Sequence, residues 1–80
     1  MPTEERLKLI WDFRGPDAHK IALHHEIHLK EYAAAQVLNT PITGTQQVTE
    51  EHSIAYLVVD KEAMKPVRDA LKPHRGQLFT

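Results

Sequence analysis

Three groups of side chains in this 80-residue chain have the types and spacing to do chemistry. His24, His28 and Glu31 recur at i, i+4 and i+7, so on a helix their side chains could converge on one ion as two imidazoles and a carboxylate. That is the ligand set of non-haem iron and of many zinc sites. The neighbouring run His25-Glu26-Ile27-His28 is not the zinc-protease pattern H-E-x-x-H, because its second histidine comes one residue early. The plainer reading of the triplet is a polar flank beside an apolar stripe.

Lys61, Lys65, Arg68 and Lys72 form the second group, a line of cations at i, i+4, i+7 and i+11 with Arg75 just beyond. A phosphate-bearing polyanion would need such a line. A solvated helix face produces it equally well, and Glu62 and Asp69 lie close enough to blunt its field. The third group is Lys8, Asp12, Arg14 and Tyr56, which strand periodicity could bring together on one face of a sheet as a small-molecule pocket. Asp12 or Tyr56 would be its acid or base. Structural pairing of Asp12 with Arg14 or Lys8 is the simpler expectation. No catalytic residue can be assigned: the chain has no cysteine, and its one serine, Ser53, has no partner placed by spacing. No cofactor is expected.

The element that must organise these groups is Asp17 to Leu38, DAHKIALHHEIHLKEYAAAQVL, which reads as one helix of about six turns. At about 100° per residue, Ala18, Ile21, Ala22, His25, Leu29, Tyr32 and Ala33 share a broad stripe that would lie on a sheet. His25 in that stripe is expected to be buried and hydrogen-bonded, to a carbonyl or to Tyr56. Leu23, Ile27, Ala34 and Leu38 make a narrower stripe pointing away. Before this helix, Leu7 to Arg14 alternates with period 2, placing Leu7, Leu9, Trp11 and Phe13 on one face. Gly15-Pro16 breaks that strand, and Pro16 with Asp17 opens the helix.

Asn39, Pro41 and Gly44 end the helix in a loop, and Gln46 to Glu50 reads as a short polar edge strand. Ser53 to Asp60, SIAYLVVD, is almost continuously apolar, the pattern of a central strand covered on both faces. Asp60 caps a second helix with Ala63, Met64, Val67, Ala70 and Leu71 inward. Pro66 within it implies an irregular first turn and a helix proper from about residue 66. Gly76 to Thr80 is a candidate last strand, and residues 1–6 read as a frayed N-terminus.

The order strand, helix, strand, strand, helix, strand is the split βαβ, ferredoxin-like α+β plait: one domain of four antiparallel strands with both helices on one face, the second and fourth strands short. The arrangement resembles dimeric ferredoxin-like domains at the level of architecture. A core of Leu7, Leu9, Trp11, Phe13, Ile21, Leu29, Tyr32, Val67 and Leu71 follows.

Such a chain is marginal in size, and without cysteine neither disulfides nor zinc thiolates reinforce it, so a homodimer is expected. Two surfaces compete for the contact, the helix stripe Leu23, Ile27 and Ala34 and the sheet face carrying Ile10; the sheet face is favoured, because the second apolar set of Ser53 to Asp60 would otherwise stay wet. Formal charge is −1, from 10 basic and 11 acidic residues, which argues against nucleic acid as the main partner. No run is apolar enough for a membrane span or signal peptide, so a cytoplasmic location is expected. Taken together, the residues point to binding or scaffolding rather than catalysis.

Overall fold

The computed structural model describes residues 6–36 and 41–79. Leu38, Asn39, Thr80 and the first five residues of the expected frayed terminus lie outside them. The chain runs β1 (Arg6–Arg14), α1 (Ala18–Ala35), β2 (Ile42–Thr49), β3 (His52–Asp60), α2 (Lys61–Leu71) and β4 (Arg75–Phe79). One antiparallel sheet of order β2-β3-β1-β4 carries the two helices, which is the ferredoxin-like plait. The two most apolar strands, β1 and β3, are the central pair and align over their whole length, from Arg6 against Asp60 to Arg14 against His52.

The helix-side face of β1 and β3 supplies Leu9, Trp11, Ala55, Leu57 and Val59 to the core; α1 adds Ala22, Leu29 and Ala33, and α2 adds Val67. Phe13, Tyr32 and Leu71 pack half-buried at its margin. Leu7 is half-buried too, beside a cleft between α2 and β4. Ile21 does not join the core. It is 46% exposed, because the buried line on α1 runs through Ala18, Ala22, Leu29 and Ala33, rotated by roughly 30° from the expected stripe. Three alanines on that line let the helix sit close to the sheet, and Ile21 is swung to the edge.

β2 begins at Ile42, four residues before the expected start. Thr43, Gly44 and Thr45 pair with Leu57, Tyr56 and Ala55, and Gly44 is tolerated because the Tyr56 ring fills the space where a Cβ would project. α2 is continuous from Lys61, so the expected irregular first turn is absent. Pro66 removes one amide from the ladder, but Pro66 and Glu62, whose carbonyl loses that donor, are both exposed, so water can replace it. The helix stops at Lys72, which is left-handed at φ 49°, and the Leu71 carbonyl accepts a hydrogen bond from Trp11 Nε1 at 3.0 Å. Gly15, at φ 115°, makes the β1–α1 turn that only glycine adopts freely.

Candidate functional site

The sheet face turned away from the helices carries Arg6, Lys8, Ile10, Asp12 and Arg14 of β1, His52, Ile54, Tyr56, Val58 and Asp60 of β3, and Arg75 of β4, since side chains alternate along each strand. Its central apolar members are buried within the one chain, whereas Ile42 of β2, opposite Val58, and Phe79 of β4, opposite Arg6, are 40% and 38% exposed at its edges. Ile10, Ile54 and Val58 are 2%, 4% and 0% exposed. Ile10 stands in register between Tyr56 and Arg75, with Lys8 and Asp12 two residues to either side. The expectation that the apolar set of β3 and Ile10 stay wet is therefore corrected: long neighbours close over them, and the exposed apolar surface of this face is confined to Ile42 and Phe79 on its outer strands.

Of the four side chains expected to share this face, two meet. Lys8 Nζ lies 4.3 Å from the centroid of the Tyr56 ring, within cation–π range. Asp12 pairs with neither Lys8 nor Arg14. Its carboxylate accepts hydrogen bonds from Arg75 Nε at 3.0 Å and Nη2 at 3.1 Å, and its Oδ1 lies 2.9 Å from His52 Nε2. Residues two apart on one strand point the same way but stay separated, whereas a diagonal neighbour on an adjacent strand comes within reach of a long side chain. The Arg75 hydrogen bonds, outweighing burial and aided by His52, hold the Asp12 carboxyl down at about 2. Arg14, exposed at the end of β1, has no carboxylate partner among the described residues.

His74 joins the same end of the sheet, where its Nδ1 accepts the Asp12 backbone N–H at 2.8 Å. His52, His74 and Arg75 are the residues that sequence reasoning missed here. The signal for His52 was its place on the same face of β3 as Asp12 is of β1, one diagonal step away. The sequence places Arg75 just beyond the α2 cation line and starts the last strand at Gly76; β4 begins one residue earlier, which turns Arg75 onto this face.

On the opposite side of the sheet, His25 sits against Trp11 and Phe13, with ring centroids 5.1 and 5.4 Å apart. Its Nε2 is buried and has no hydrogen-bond partner, contrary to the expected satisfied histidine; Tyr56 cannot serve because it lies on the other face. Burial, then the nearby His28, His74 and His24, pushes the His25 imidazole below 6.5. Ser53 Oγ is likewise buried without a partner, and His52, the adjacent residue, faces the other way, so no serine–histidine pair forms between them.

The outer flank of α1 holds His24 and His28 with their Nε2 atoms 3.1 Å apart and rings nearly perpendicular at 80°. Glu31 does not converge with them. It meets His28 Nδ1, on the other side of that ring, at 3.6 Å. Among the described residues no group of three or more histidine or acidic side chains is arranged to hold a metal, so the expected three-ligand set is not assembled.

Lys61, Lys65 and Arg68 are exposed on α2, and Lys72 is exposed at its left-handed C-cap, beyond the last helical turn. Arg68 also borders the cleft of about 520 Å³ between α2 and β4, whose floor includes Leu7, Leu9 and Gly76. Asp69 lies 4.0 Å from Arg68, which reduces the positive field there. No helix among the described residues is long and apolar enough to cross a membrane. Compared with protein-family models, curated proteins and solved structures, the chain matches none.

Proposed function

We propose that the protein is a small binding domain rather than an enzyme, and that the open sheet face takes up an acidic polypeptide segment. The charge balance of that face carries the reading. It holds four cations, Arg6, Lys8, Arg14 and Arg75, against two carboxylates, Asp12 and Asp60, although the whole chain is at −1. Both carboxylates are already engaged by arginine, Asp60 with Arg6 at 3.0 Å and Asp12 with Arg75 at 3.0 Å. Lys8 and Arg14 remain without carboxylate partners among the described residues, one on each side of buried Ile10.

Catalysis has less support. Asp12, held down at about 2, is a weak base at neutral pH, and Ser53 is buried on the other side of the sheet from His52. A second copy docked on this face would set like charges together, with Ile10 needing no cover. For a small molecule, the α2–β4 cleft of about 520 Å³, with Leu7, Leu9, Met64 and Leu78 in its lining, offers a concave apolar surface.

Titration calorimetry with a peptide of alternating glutamate and alanine tests the reading. Binding should weaken as salt rises from about 50 mM. It should vanish in the double variant Lys8→Gln, Arg14→Gln and survive in Lys61→Gln, Lys65→Gln. No binding at low salt would overturn the proposal. Loss in the α2 variant alone would move the site to α2, and preference for a mixed-sequence nucleic acid would replace the partner class.

A further inference from the structure

We infer that His24 and His28 form half of a divalent-metal site, which a second copy of the chain completes. The two Nε2 atoms face each other at 3.1 Å. Imidazole nitrogens bound to one tetrahedral zinc ion, at about 2.0–2.1 Å each, stand about 3.3 Å apart, so little movement would let both bind one ion. Glu31 is unsuited as a ligand but well placed to orient one. Its carboxylate near His28 Nδ1 favours the tautomer that carries the proton there, leaving the Nε2 lone pair for the metal.

Two imidazoles leave half of a tetrahedral shell open, and no third histidine or acidic ligand joins them among the described residues. A two-fold related copy presents the same pair, giving four imidazoles around one ion. The surroundings suit such a contact. Ile21 and Ile27, 46% and 53% exposed, flank the pair on its two sides. An antiparallel approach that sets His24 beside the second copy's His28 brings Lys20 alongside the second copy's Glu31, so charges of opposite sign meet. Nothing in this contact uses the open sheet face, and the inference does not rest on the function proposed for it.

The experiment is light scattering on the full chain, prepared without a histidine tag, in chelator and then with added zinc. The expected result is that the mass doubles from the 9.2 kDa of one chain, with one zinc bound per two chains by elemental analysis. His24→Ala or His28→Ala should abolish both changes, with helical circular dichroism retained, while His19→Ala leaves them intact. Ile27→Glu should keep zinc binding but raise the protein concentration needed for the doubled mass. A dimer equally present in chelator, zinc bound one per chain without a change of mass, or a doubled mass that survives His28→Ala would each overturn the inference.

Discussion

Asp12 keeps its charge because two neighbouring strands each hand it a donor, Arg75 from β4 and His52 from β3. With the folded carboxyl at about 2 against an ordinary 3.8, its contribution to stability is fully present above 3.8 and is lost as pH falls through about 2. Asp12→Asn should remove that acid-side decline, measured as urea midpoints between roughly pH 4 and 2. His25 acts earlier on the pH scale and for a different reason. Its buried, partnerless Nε2 makes protonation costly in the folded state, so its pKa lies below 6.5. The unfolded chain then binds the proton more readily. Stability should hold above 6.5 and fall as pH drops from there through the folded value. Denaturation of His25→Leu at about pH 7.5 and 5 should show a smaller loss than the parent chain. An equal loss in both would place the acid sensitivity elsewhere.

The elements were legible to the extent that one face of each met the core. Leu7 to Phe13 alternates and became β1; Ser53 to Asp60 is apolar on both sides and became the central β3. α1 was legible as a helix, but its rotation was not, because histidine, tyrosine and alanine at the stripe's margin leave more than one line able to face the sheet. Packing chose the line with the smallest residues. Leu29→Ala should therefore cost roughly 2–5 kcal/mol by the usual transfer and cavity effects, while Ile21→Ala should stay within about 0.5 kcal/mol in the metal-free monomer; urea unfolding measures both. Equal costs would mean that α1 is turned as its sequence stripe suggests. The polar constellation was hidden for another reason. Asp12 meets His52 across 40 residues and Arg75 across 63, and only strand register, partly set by the exposed five-residue β4, brings them together.

At the scale of the whole molecule, the two proposed contacts use opposite sides of the sheet, and that separation has a consequence. A dimer joined through this flank of α1 would leave each sheet behind its own helix, so the two open faces would both turn away from the contact, roughly 20 Å or more apart at about 10 Å per layer. Lys8 and Arg14 of each copy would stay accessible, and one short acidic segment could not reach both faces. The zinc-bound dimer should therefore bind two glutamate–alanine peptides with the same affinity per chain as the metal-free monomer. Joining two such peptides by a short linker should bring no gain, because effective concentration is near zero when a linker cannot span its sites. Calorimetry with and without zinc measures both quantities. A zinc-dependent loss of peptide binding would show that α1 and the open face are not independent surfaces. A gain with the short linker would show that the two faces lie side by side, which a contact through His24 and His28 does not allow.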